Sequence, residues 1–145
     1  MKNLENNPNA SALHDENIVF HQFIGRLING IMPLAISRKN SIINDVSKES
    51  FIKADCDKLA FIISNLLNDA VTSTTNSIIH VSALSGERIG LVQIKTGDTN
   101  IHHSFSNIIG KIQQTAKKMG GNINIESIQS EGTLITFTFC NMAAA

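Results

Sequence analysis

Asn65 and Asp69 stand four residues apart at the end of an apolar run with helical spacing, so a carboxamide and a carboxylate share one edge of a predicted helix. Both carry hard oxygen donors of the kind that hold magnesium. Without phosphate oxygens the pair supplies too few ligands, and a solvated helix edge is the plainer expectation. The other reactive side chains are scattered. His102 and His103 are adjacent in a short polar stretch, while His21 and His80 have no partner pattern and read as structural positions. Cys56 and Cys140 form no Cys-x-x-Cys and read as small buried apolar residues in a reducing compartment. Serine and cysteine lack the surroundings that would activate a nucleophile, so no catalytic residue and no metal centre is assigned.

The elements that position these residues are legible from periodicity. A chain of 145 residues with 42% apolar side chains is one domain's worth of core. Twelve basic and twelve acidic residues cancel, leaving no field to gather nucleic acid or anionic lipid. No apolar run approaches the roughly 18 residues of a membrane span, and a cytoplasmic protein is expected. Residues 1–12 are polar and asparagine-rich and are expected to be disordered; 13–140 form the domain and 141–145 a tail without packing signal.

Apolar residues recur at helical spacing from Asn17 to Arg38, a helix with Pro33 as its expected bend. Ser41 to Val46 and Ser50 to Ala54 predict a hairpin or two edge strands. A second helix, capped by Asp55 or Asp57, buries Leu59, Ile62, Ile63, Leu66, Leu67 and Ala70. Ser77 to Ala83 and Ile89 to Thr96 predict an antiparallel hairpin. Phe105 to Met119 predicts a third helix stopped by Gly120-Gly121, and Ile123 to Ile128 and Leu134 to Phe139 predict two last strands. The packing this implies is an α+β two-layer sandwich: a mixed, mostly antiparallel sheet covered on one face by three helices.

Residues 65–74, Asn-Leu-Leu-Asn-Asp-Ala-Val-Thr-Ser-Thr, resemble the asparagine box of sensor histidine kinases, commonly Asn-Leu-Leu-x-Asn-Ala-x-Lys-x-Thr, at Asn65, Leu66, Leu67, Ala70 and Thr74. Upstream, Ala54-Asp55-Cys56-Asp57-Lys58-Leu59 is similar to the start of that helix in the family. Gly120-Gly121-Asn122-Ile123-Asn124-Ile125-Glu126-Ser127 with Gly132-Thr133-Leu134-Ile135-Thr136-Phe137 resembles its two closing strands. With the order of elements, the resemblance extends from about residue 17 to about residue 140, and it implies a GHKL-class, Bergerat-type ATPase fold.

The resemblance breaks around the nucleotide. In the family the box's second asparagine binds the nucleotide's magnesium and its lysine touches phosphate; Asp69 and Thr72 stand there. A strand then runs into Asp-x-Gly-x-Gly, whose carboxylate accepts from the adenine amino group. Gly97 matches the first glycine, Thr99 replaces the second and Lys95 occupies the carboxylate's place, donors only. Asp98 could take the role only through a register shift that reverses side-chain direction. The phosphate-binding Gly-x-Gly-Leu falls on Ser106 and Ile108, and His102, His103 and Ser104 leave a shortened lid. A cleft filled by Ile108 or Phe105 is the expected sign of a lost pocket.

His14-Asp15 matches the first two letters of a phosphoacceptor box, but Glu16-Asn17 lacks the basic residue and proline that complete it, and an exposed polar pair is the plainer reading. The resemblance therefore implies a degenerate histidine-kinase-like domain whose nucleotide positions Asn65, Asp69, Thr72, Lys95, Gly97, Thr99, Ser106 and Ile108 are vestigial. It would need no cofactor and would act as a regulatory or docking module in bacterial two-component-type signalling. A response regulator, a histidine-bearing kinase or a phosphotransferase is the implied partner, and a homodimer is compatible. The competing expectation is an ATP- and Mg2+-dependent kinase, either the catalytic part of a histidine kinase or a small serine kinase of the anti-sigma-factor type.

Overall fold

The computed structural model describes residues 15–97, 108–128 and 132–142. Strand β1 (Asp15–Val19) leads into α1 (Phe20–Ser37), then β2 (Ser41–Asn44), β3 (Phe51–Asp55) and α2 (Cys56–Thr72). After these come β4 (Ile78–Ser85), β5 (Ile89–Thr96), α3 (Ile109–Lys118), β6 (Asn122–Ile128) and β7 (Gly132–Cys140). The main sheet runs β2-β4-β5-β7-β6; β2 and β4 are parallel and every other neighbouring pair is antiparallel. Three helices pack on it, so the expected mixed sandwich is the observed one.

Period-2 burial shows which face they cover. Along β5, Gly90, Val92, Ile94 and Thr96 are buried, and β7 buries Thr133, Ile135, Phe137 and Phe139 in the same alternation. Ile24, Leu59, Ile62, Ile63, Leu66 and Leu67 close over them from α1 and α2, each at most 1% exposed. Phe20 meets Phe139 edge to face at 6.0 Å. The Phe139 ring lies directly on Gly90, where a Cβ would stand 2.2 Å from it.

One expectation is corrected. The helical pattern from Asn17 begins as strand β1, because residues 15–19 pair with β3, Ile18 opposite Ile52. Ile18 fits either period, and a ladder to residues far along the chain decides between them. Of the hairpin or two edge strands expected before α2, the second is found: β2 is the edge strand beside β4, and β3 belongs to the separate two-stranded sheet with β1. Pro33 lies inside α1, which continues to Ser37 although the Asn29 carbonyl loses its intrahelical donor. By contrast β5 and the antiparallel β4–β5 pairing are as predicted. So is the stop of α3, where Gly120 takes φ +75 and the Gly121 amide reaches back to the Ala116 carbonyl at 2.9 Å.

A polar clasp joins the ends of α1 and α2. Asn40 is 5% exposed; its Nδ2 donates to the carbonyls of Val71 and Thr74 and to Thr74 Oγ1, and its Oδ1 accepts from the Ser77 amide at 2.9 Å. Asn141, placed in the tail by its sequence, is likewise 5% exposed. It accepts from the Lys53 amide at 3.0 Å and donates to the Gly86 carbonyl at 2.9 Å, linking the small sheet to the β4–β5 turn.

Candidate functional site

Helix α2 carries the asparagine-rich decapeptide, and its first turn shows why it starts where it does. Asp55 Oδ1 accepts from the Lys58 amide at 3.1 Å and Oδ2 meets Lys58 Nζ at 2.8 Å. Burial pushes the Asp55 carboxyl up, but the Lys58 side chain, amide and charge outweigh it and hold the group below its ordinary value.

The inward letters of the decapeptide are Leu66, Leu67, Ala70 and Thr74, at 0%, 1%, 0% and 1% exposure. Thr74 Oγ1 donates to the Ala70 carbonyl at 2.7 Å and receives Asn40, so its hydroxyl closes the clasp. The edge letters behave differently. Asn65 is half-buried and donates to the Phe61 carbonyl, one turn back on its own helix, at 2.7 Å. Thr72 is exposed and its hydroxyl bonds back to the Asn68 carbonyl at 2.9 Å and lies 3.3 Å from that of Asp69. Asp69 is 7% exposed, which corrects the expectation of a solvated edge at that position.

Asn65 and Asn68 border a groove of about 500 Å³ between α1 and α2, with Leu27, Ile31 and Leu67 on its apolar wall and Arg26 at its rim. Among the described residues no group of three or more His, Cys, Asp or Glu side chains gathers to hold a metal ion.

Lys95 is exposed on the face of the sheet away from the helices, opposite His80 on β4 and Leu134 on β7. Its neighbour Thr96 is the residue that faces the helices, 1% exposed and opposite the equally buried Thr133. The helix-side position at the end of β5 therefore holds a hydroxyl, which can accept as well as donate. Continuing the Val92–Ile94 alternation by one step would have found it. Gly97 is exposed, and among the described residues nothing lies within 4 Å of where its Cβ would stand. Ile108 is half-buried against the core, just ahead of α3, whose start has no side-chain cap. Thr99 and Ser106, with Asp98, His102, His103 and Phe105, lie outside the described residues, as does His14.

Other reactive side chains have structural surroundings. His21 Nδ1 meets the Val46 carbonyl at 2.7 Å, a structural bond between the first turn of α1 and the β2–β3 connection. Cys56 and Cys140 are free thiols; burial pushes Cys56 up, with Glu16 and its flanking aspartates adding to it, whereas Cys140 is exposed rather than buried. Among the described residues no helix is long and apolar enough to cross a membrane.

No protein-family model matches the chain, and no curated protein matches it. Solved structures do. The histidine kinase AdeS of Acinetobacter baumannii superposes with TM-score 0.75 at 10% identity over 87% of this chain and 66% of its own. The nucleotide-free catalytic domain of histidine kinase ThkA gives 0.73 at 12% over 87% and 96%. ThkA in complex with the response regulator protein TrrA gives 0.73 at 13% over 88% and 42%. The chain thus spans about two thirds of AdeS and less than half of ThkA in that complex. The architecture is the GHKL-type fold of histidine-kinase catalytic domains.

Proposed function

We propose that this chain, built on the fold of a histidine-kinase catalytic domain, is a regulatory or docking module of two-component-type signalling that has given up productive ATP binding. One observation carries the reading. Four of the five decapeptide letters it shares with the family, Leu66, Leu67, Ala70 and Thr74, are those the core and the clasp require. The altered Thr72 turns its hydroxyl onto the helix's own carbonyls, as does the amide of the retained Asn65. Ile108, where the resemblance places a phosphate-binding glycine, is a branched side chain packed on the core.

The partner class follows from chemistry and from ThkA, whose structure in complex with a response regulator shares this fold. A response regulator, a histidine-bearing kinase or a phosphotransferase is the class of protein this module serves, and its surface is then the functional part. Neither ATP nor Mg2+ is required for that role.

One feature favours the kinase alternative. With Lys95 on the far face of the sheet, the position beside the helices holds Thr96, so no ammonium donor opposes an adenine amino group there. Asp69 also keeps an oxygen donor suited to magnesium. Titration calorimetry of the chain with ATP and Mg2+ separates the readings: no heat, or millimolar affinity, is expected, and micromolar affinity overturns the docking module.

A further inference from the structure

On the face of the sheet that the helices leave uncovered, His80 and Asp45 form a pair absent from any sequence pattern. His80 Nδ1 lies 3.2 Å from Asp45 Oδ2, with the two side chains 47% and 56% exposed. The geometry rests on backbone as well as on rotamers. Strand β2 runs parallel to β4 with Ile43 beside His80 and Asn44 beside Val81, and the Asp45 amide then donates to the Val81 carbonyl at 2.7 Å, which holds Asp45 diagonally across from His80 on the same face. On the other side Lys95 is directly opposite His80 in the antiparallel β4–β5 ladder and on the same exposed face. Cα atoms so paired are roughly 5 Å apart, within reach of a lysine's four-carbon stem.

A carboxylate only accepts, so in the neutral imidazole this contact selects the tautomer with the proton on Nδ1 and leaves Nε2 as the nucleophilic lone pair. We propose that His80 is a phosphoryl-accepting histidine, with an acyl phosphate as the donor class, Asp45 as its positioning residue and Lys95 as the cation beside the incoming phosphoryl group. The donor class rests on the reading of the chain as a module among phosphoryl-carrying partners. In the step itself Nε2 attacks phosphorus and the N–P bond forms. The P–O bond to the acyl group breaks and the carboxylate leaves with its electron pair. The positive charge gained by the ring is neutralised as the Nδ1 proton moves toward Asp45 or water, and nothing is oxidised or reduced. A histidine oriented through Nδ1 by a carboxylate is the arrangement that activates imidazole in acyl-transfer sites, here without a neighbouring hydroxyl to deprotonate.

The test is incubation of the full chain with acetyl phosphate, followed by intact mass and peptide mapping at neutral pH. The expected product is one phosphoryl group, labile to acid and stable to base, mapped to His80 and absent from His80→Gln. Asp45→Asn should slow labelling about tenfold or more, with Asp45→Glu restoring most of the rate, and Lys95→Ala should slow it to a lesser degree. Label on another residue, no label, or a rate unchanged in Asp45→Asn overturns the proposal. All three positions are exposed, and circular dichroism of each variant verifies folding. Because acetyl phosphate needs neither ATP nor a partner protein, micromolar ATP binding would overturn the docking module while leaving this result standing, and an unlabelled His80 would do the reverse.

Discussion

Within ten residues, α2 and the turn after it present two sets of side chains that answer to different constraints. Leu66, Leu67, Ala70 and Thr74 face inward, and each is held by something in this chain: the apolar layer over β5 and β7, or the Asn40 clasp. Asn65 and Thr72 lie along the edge and turn their polar atoms onto backbone carbonyls of the same helix. Neither of these hydrogen bonds reaches beyond α2. The comparison teaches that one helix can serve two purposes: most of the letters that resemble the histidine-kinase box, Leu66, Leu67, Ala70 and Thr74, are those that pack, while Asn65 shares the edge with Thr72.

Substitutions break that contrast in order of size. Leu66→Ala, which opens a cavity beneath the sheet, should lower stability by about 2–5 kcal/mol in urea unfolding. Asn40→Ala removes both donors and the acceptor of the clasp and leaves the Val71 carbonyl and the Ser77 amide to find other partners, while the Thr74 carbonyl keeps Arg38 Nε at 2.9 Å. A loss of about 2–3 kcal/mol is expected by the same measurement. Asp55→Ala deletes the cap of α2 and should cost about 1 kcal/mol.

The Asp55 effect also has a pH signature. Its folded pKa is held below the unfolded value, so its contribution is present above the ordinary carboxylate range and is lost as pH falls through the lowered value. Wild type and Asp55→Ala should therefore converge in stability toward that acidic limit and diverge above it. The smallest change is expected from Thr72→Lys, which restores the family's letter on the exposed edge and should stay within about 0.5 kcal/mol. If Thr72→Lys proved as damaging as Leu66→Ala, the division between packed and idle letters would fail.

How far the sequence reached can be judged on these same elements. The apolar face of α2, its Asp55 cap and the bounds of β5 were legible because each depends on neighbours within one or two turns. Strand β1 was not, since Ile18 satisfies both periods and only β3, more than thirty residues on, selects the strand. Lys95 was given the recognition position by motif spacing, whereas the pleat assigns the helix side to Thr96; that signal was present in the Val92–Ile94 alternation. The Asn40 clasp and the His80–Asp45 pair had no local signal at all, because their partners lie at least 31 residues away in sequence.

Asn141 has a dynamic consequence. Its side chain is the acceptor for the Lys53 amide on the small sheet while its own amide groups hold the Gly86 and Arg88 carbonyls at the far hairpin turn. The exchange of one backbone hydrogen, that of Lys53, therefore reports whether the β7 terminus is seated. Its protection should fall in Asn141→Ala while the amides at the centre of β5 keep theirs, marking the small sheet as a unit that opens below the global unfolding free energy.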